Sequence, residues 1–401
     1  MVNSFSPKLA FEIPNGLRRL AAGSICCLPE HRTWITPGDD TLAEYSDVSV
    51  NLRPELLKAV HFIFKEQCNL QPDWRVLLIC DSHTPQHIST SFNGVAMQFG
   101  ADVLEMRVPM GPHPAYQPGF TWDPLVSSAT LAAARHADLI VDMAIGYADF
   151  MVEIVAGGNC RIIGPGDATG APHIDDSLIR CLLLDDPFQI RREAVRAADI
   201  FSSGRSLRVT SQEGTDYTVD ISDVKGDTFD GFLWDRETEE WVSNYQFTPG
   251  ATPGVVLPKD RGDGVLALDG LFLYENVHHL PKVPVMLTID GGRITGIAGD
   301  PYICHRLEDW LDNLDDDGCR NGPIHANLGL SRHARLTEHL EWERVRGGMV
   351  FGIGDNSLLA PFVGADFETS KSGVHWDVQT LRATVTVDGT VIVRDGIVAL
   401  D

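Results

Sequence analysis

Residues 74–81 read WRVLLICD, an apolar run broken only by Arg75 and closed by an aspartate. A short run of this kind suits a strand buried on both faces of a parallel sheet. Parallel neighbours need crossover helices, and the flanking sequence supplies them. Before the run, Leu56, Leu57, Val60, Ile63 and Phe64 recur at helical spacing; after it, Ile88, Phe92, Val95 and Phe99 do the same. ADVLEMRV (101–108), ADLIVDMA (137–144) and CRIIGPG (160–166) are further strand candidates, with an Ala-rich helical stretch, LVSSATLAAARHA, between the first two. Strands alternating with helices predict an α/β fold with a parallel, Rossmann-like sheet. The helical stretch DDPFQIRREAVRAADIFSSG ends near Gly204 and predicts a bridge to a second domain.

Beyond it the pattern changes to hairpins. SLRVTSQEGTDYTVDI, VMLTIDGGRITGIAG and SGVHWDVQTLRATVTVDGTVIVRDG (372–396) read as strand pairs, the last with an Asp388-Gly389 tight turn. One acidic helix, around RLEDWLDNLDDDG, interrupts them. The expectation is an α/β parallel-sheet domain over residues 1–204 and a β-rich α+β domain over 205–401. Two domains also suit 401 residues, too many for one ordinary core. The run Asp315-Asp316-Asp317 and the cluster Glu237, Glu239 and Glu240 read as solvated surface.

Charge and leader signals narrow the function. A formal net charge of -24 should repel nucleic acid and anionic membrane, so neither is an expected partner. No apolar run reaches the roughly 18 residues of a membrane span. The N-terminus lacks a basic start followed by a long apolar stretch, so no signal peptide is expected and a cytoplasmic location is. None of the eight cysteines forms a CxxC pair, which argues against a zinc ribbon and for reduced thiols, with Cys26-Cys27 read as core. There is no GxSxG elbow and no HExxH helix, and GPGDATGAPH (164–173) is neither GxGxxG nor a P-loop.

What remains is His375-Trp376-Asp377. On a strand, positions two apart point to one face, so the imidazole and carboxylate could grip one metal ion while Trp376 packs on the other side. On spacing alone an ordinary surface pair is the commoner use. A metal would need a third ligand, with His325, His333, His339 and one of His278 or His279 available. Two histidines and a carboxylate leave open positions that suit non-haem Fe(II) and O2. Tyr147 and Asp149 follow a strand end in the α/β half, where ligands often approach.

Taken together, GPIHANLGLSRHARL, RGGMVFGIGDN, KSGVHWDV and VTVDGTVIVRDGIV resemble the 2,5-dihydroxypyridine 5,6-dioxygenase family, which shares a fold with aminopeptidase T-like metallopeptidases. The resemblance runs in order over roughly residues 205–398, through GDGVLALDG and VMLTIDGGRITGIAGD. In the dioxygenases a His-x-x-x-Gly-Leu histidine and a later His-x-Asp hold the iron, and those positions match His325, His375 and Asp377. The peptidases bind two metal ions. Where they carry further ligands, this chain has Asn327, Val350 and the apolar TPGVVLP, which implies a single ion. The dioxygenases' outlying histidines do not recur; Tyr147-Ala148 and Ser243-Asn244-Tyr245 stand in their regions.

The resemblance thus implies a mononuclear Fe(II) ring-cleaving dioxygenase of extradiol type. It would insert both atoms of O2 into a hydroxylated N-heterocycle such as 2,5-dihydroxypyridine, or a related aromatic. No organic cofactor is implied, and assembly as a homo-oligomer is. Tyr147, His173 and His278 are candidate bases, and Trp241, Tyr245 and Trp376 candidate ring-stacking residues, each with core packing as its plainer role. A metal-dependent aminopeptidase is the alternative; a metal-free binding protein on the same scaffold is a third reading.

Overall fold

The computed structural model describes residues 52–82, 84–108, 128–144, 149–158, 160–165, 174–274, 277–337, 339–357, 359, 364 and 366–400. Tyr147, His173 and Cys26-Cys27 therefore lie outside the described residues. The stretch Val50–Asp401 forms one compact unit.

The first half alternates as its apolar pattern requires. α1 (Pro54–Phe62) opens on a proline, whose missing N–H costs nothing in a first turn, and buries Leu56, Ala59 and Val60. β1 (Arg75–Asp81), α2 (Gln86–Gln98), β2 (Asp102–Val108), α3 (Ser128–His136), β3 (Leu139–Asp142), α4 (Asp149–Ala156), β4 (Arg161–Gly164) and α5 (Ile174–Ile179) follow. α6 (Pro187–Ser203) begins at Asp186, whose carboxylate accepts from the backbone N–H groups of Phe188 and Gln189. Its buried face is Ile190, Ala194, Ala197, Ala198 and Phe201.

The second half is nearly all strand. It comprises β5 (Ser206–Thr210), β6 (Asp216–Asp220), β7 (Gly226–Asp227), β8 (Trp234–Asp235), β9 (Glu240–Trp241), β10 (Tyr245–Phe247), β11 (Gly254–Val256), β12 (Asp263–Leu268), β13 (Phe272–Tyr274), β14 (Val277–His279), β15 (Val285–Asp290) and β16 (Arg293–Ala298). Then come α7 (Pro301–Asn313), β17 (His325–Leu328), α8 (His339–Trp342), β18 (Met349–Gly354), β19 (His375–Thr380), β20 (Thr384–Val387), β21 (Thr390–Arg394) and β22 (Ile397–Val398).

These strands build an α/β fold from one parallel and two large antiparallel sheets. The parallel sheet has the order β10-β4-β3-β1-β2. Its edge strand β10 comes from the second half and pairs parallel to β4, Tyr245 opposite Ile162. The antiparallel sheets run β14-β13-β19-β18-β17-β11-β7 and β16-β15-β12-β6-β5-β20-β21-β22. One core joins them: Val209 and Tyr217 from the eight-stranded sheet, Phe351, Trp376 and Val378 from the seven-stranded sheet, Phe201 from α6 and Trp310 from α7. Because strand residues alternate between faces, the residues between these core positions on β17, β18 and β19 look the other way. That second face carries the site.

The 372–396 segment makes three strands, not two. β19 belongs to the seven-stranded sheet, while β20 and β21 form the hairpin across Asp388 and Gly389 in the eight-stranded one. Both turn residues have positive φ (48° and 82°), the backbone of a two-residue hairpin loop.

A buried ion pair ties the segment after α5 to the segment before β18. Arg180 Nε and Nη2 each sit 2.6 Å from a Glu341 carboxylate oxygen, and Glu341 is wholly buried. Glu341 also accepts from Arg335 N and Thr337 Oγ1. Glu341→Ala would leave Arg180 uncompensated, so we expect a stability loss of about 3–5 kcal/mol. Urea denaturation reads this as a lower midpoint; an unchanged midpoint would mean the pair contributes nothing net.

Candidate metal centre

Three neighbouring strands assemble the site. Register places His325 on β17 opposite Gly352 on β18, and Gly352 opposite Asp377 on β19. His375 lies two residues before Asp377, on the same face. Directly opposed residues of antiparallel strands share a face, so all three polar side chains project from one side. Trp376, between them, points into the core, fully buried; its Nε1 donates to Cys319 O at 2.9 Å and its ring meets Trp310 edge-on at 6.0 Å.

Gly352 makes the approach of His325 and Asp377 possible. A Cβ there would stand 2.0 Å from His325 Nε2, inside the imidazole. With that space open, His325 Nε2 comes within 3.3 Å of His375 Nε2 and 3.1 Å of Asp377 Oδ1, and the third edge, His375 Nε2 to Asp377 Oδ1, is 3.5 Å. The imidazoles stack at 5.2 Å between centroids. Among the described residues this is the one group of three or more such side chains whose ligand atoms all lie within 4.8 Å of one another.

Around them the loops fix the ring of His375. Its Nδ1 lies 2.6 Å from the Asp355 carbonyl, so Nδ1–H donates there and Nε2 faces the set. The Asp355 carboxylate accepts from Ser372 N, and Asp316 accepts from Ser372 Oγ and Gly373 N. Asp316 was expected to be solvated surface; it is half-buried and holds the entry to β19 instead. Gly352, Asp355 and Asp316 are contributors that the motifs did not reveal.

The donor set fits a metal. Asp377 Oδ1 is buried and makes no hydrogen bond of good geometry, although two imidazole nitrogens stand close by. A buried carboxylate oxygen left so is costly, and a cation satisfies it. Edges of 3.1–3.5 Å are those of donors about 2.1 Å from one ion. Without an ion the three groups pair with one another. Burial alone would raise the Asp377 pKa, but His375 and His325 outweigh it and hold the carboxyl well below its usual range. Burial disfavours a charged His375, yet Asp377 prevails and lifts that imidazole to about 9.

Next along the same face, Asn327 and Val350 oppose each other. Val350 packs with Leu271 and Trp342, and Asn327 Nδ2 donates to Thr252 O. Neither position offers a carboxylate or an imidazole. Val256, opposite His325, forms an apolar wall with Leu359, Phe229 and Phe367.

The remaining sequence candidates lie elsewhere in the fold. Trp241 stacks on Trp74 at 5.7 Å, with the Arg161 guanidinium 3.5 Å above it. Tyr245 is buried beside Phe247 and Ile162 in the parallel-sheet core. His333 is exposed, and His279 is half-buried with its ring 6.2 Å from Tyr302. His278 lies on β14, its side chain outside the described residues. Since Trp376 has its donor satisfied in the core, Trp376→Phe should lower stability by about 1–3 kcal/mol while the metal content stays unchanged. Thermal melting and metal analysis of the purified variant check the two together.

A sequence model described as 2,5-dihydroxypyridine 5,6-dioxygenase matches residues 56–400, taking in the α/β half as well as the motif-bearing strands. Among solved structures, 2,5-dihydroxypyridine dioxygenase from Pseudomonas putida KT2440 aligns at a TM-score of 0.69 and 19% identity, over 86% of this chain and 96% of that one. Wild-type AmpT from Thermus thermophilus aligns at 0.58 and 13%, over 86% and 99%. No curated protein matches. Among the described residues no helix is long and apolar enough to cross a membrane.

Proposed function

Since the chain belongs to the 2,5-dihydroxypyridine 5,6-dioxygenase family, we propose that it is an Fe(II)-dependent ring-cleaving dioxygenase acting on 2,5-dihydroxypyridine or a closely similar hydroxylated ring. One observation carries the reading: His325, His375 and Asp377 converge on one point, with Asn327 and Val350 beside them. That is a two-histidine, one-carboxylate set without ligands for a second ion among the described residues. It favours a single iron over the two-metal peptidase alternative.

Fe(II) held there supplies the redox and Lewis-acid chemistry that brings O2 and an electron-rich ring to reaction. The protein's part is positional. His325 and His375 would each offer an imidazole Nε2 to the ion, and Asp377 would offer the balancing charge. The Asp355 carbonyl takes the Nδ1–H of His375 and so aims Nε2 at the site. Val256, Leu359, Phe229 and Phe367 form a dry wall beside His325, where a ring face packs without competing for hydrogen bonds. Tyr147, His173 and His278 are the proposed sources of a base for the ring hydroxyl, and the active form is proposed to be a homo-oligomer.

The test is oxygen uptake by protein loaded anaerobically with Fe(II), on addition of 2,5-dihydroxypyridine. We expect uptake equimolar with substrate and one iron per chain. Two metal ions per chain with hydrolysis of leucine p-nitroanilide, and no oxygen uptake, would replace this reading with the peptidase one.

A further inference from the structure

The row of side chains next to the proposed ligands holds an acceptor that no donor among the described residues reaches. Register sets Gln379 opposite Val350, Val350 opposite Asn327, Asn327 opposite Gly254, and Gly254 opposite Asp227. Each lies two residues from the Asp377–Gly352–His325 row or directly across from one that does, so the five share its face.

Most of this row is committed elsewhere. Gln379 Nε2 donates to Trp342 O, and its Oε1 accepts from Leu271 N. Asp227 turns back on its own loop, where Oδ1 accepts from Phe229 N. Val350 is apolar and buried, and Gly254 has no side chain. Asn327 differs. Its Nδ2 donates to Thr252 O at 2.8 Å, which fixes the amide plane and decides which end carries the oxygen. Among the described residues no donor reaches Oδ1, and that atom is not sealed from solvent.

Asn327 stands about 6.7 Å along the strand from His325, close to the length of a hydroxylated six-membered ring. Val350, opposite Asn327, and Val256, opposite His325, flank this stretch with apolar side chains. We infer that Asn327 Oδ1 is a specificity-determining acceptor, taking a hydrogen bond from an N–H or O–H on the ring edge that points away from His325, His375 and Asp377. The inference rests on the ring-cleaving reading and narrows its substrate class to six-membered rings that keep such a donor. In 2,5-dihydroxypyridine the donor is the ring N–H or the 2-hydroxyl, according to tautomer. A site built to pair a donor rejects the analogue that lacks it far more strongly than shape alone would.

The experiment is a cycle between protein and ligand. Anaerobic calorimetry measures the binding of 2,5-dihydroxypyridine and of 5-hydroxy-2-methoxypyridine, which lacks both donors, to iron-loaded wild-type protein and to Asn327→Leu. Wild type should prefer the first ring by about ten- to a hundred-fold. Asn327→Leu should lose that preference while keeping one iron per chain. Asn327→Asp, which keeps an acceptor but gives up the bond to Thr252 O, should retain it. If leucine prevents folding, Asn327→Ala removes the acceptor with less bulk and is read the same way. A preference that survives in Asn327→Leu, or equal weakening of both ligands, overturns the inference and leaves the dioxygenase reading intact. Iron-loaded wild type that binds neither ring overturns both.

Discussion

His375→Ala protein, loaded anaerobically with Fe(II) and desalted, should retain almost no iron and consume no oxygen with 2,5-dihydroxypyridine. Two donors remain in the variant, His325 Nε2 and Asp377 Oδ1, 3.1 Å apart. A pair so close can touch an ion but cannot hold it against water and buffer. Removing only an outlying partner of a metal ligand costs about 10–100-fold in affinity or activity. Removing the ligand itself should exceed that, so we expect activity to fall more than about a hundred-fold. Misfolding would not explain the loss. His375 faces away from the core, whereas its neighbours Val374 and Trp376 are buried and unaltered. Far-UV circular dichroism should therefore match the wild type. Full iron retention in this variant would remove His375 from the metal set, and the proposed function with it.

How much of this was legible follows from which contacts are local. The apolar run before Asp81 became a buried interior strand of the parallel sheet because burial on both faces demands unbroken apolar residues. His375 and Asp377 were legible as a pair because strand alternation needs only two positions. Nothing local announces that β17 and β19 flank β18. His325 and Asp377 are 52 positions apart, and bare spacing does not distinguish His325 from the other histidines; only the motifs around it do. Tyr245-Gln246-Phe247 carries no long apolar run, yet it completes the parallel sheet; a three-residue edge strand gives a weak signal. Asp316 reads as one of three aspartates in a row, and only the fold shows that it alone binds Ser372 and Gly373. Gly352 was the least legible of all, since what it contributes is the absence of a side chain.

That absence gives the second large effect. Gly352→Ala adds one methyl group, and we expect it to weaken binding of the proposed metal by at least about 10–100-fold, as loss of a ligand's supporting contacts does. The new Cβ would lie 2.0 Å from His325 Nε2 and 2.2 Å from Cδ2, so the imidazole must leave its place. It is confined on the other side, where Val256 stands opposite it on β11. Any swing that clears the methyl carries Nε2 away from His375 and Asp377, and the triangle of donors opens. Crowding of a packed site also costs stability, about 1–3 kcal/mol, so a loss of metal could be mistaken for general loosening. Val350→Ala separates the two. It lies two residues away on the same strand and face, and it packs with Leu271 and Trp342. It should cost stability of similar size and leave the iron affinity near that of the wild type. Equal metal loss in both variants would trace the effect to the sheet as a whole. Loss confined to Gly352→Ala would assign it to the clearance that brings His325 across β18 to Asp377.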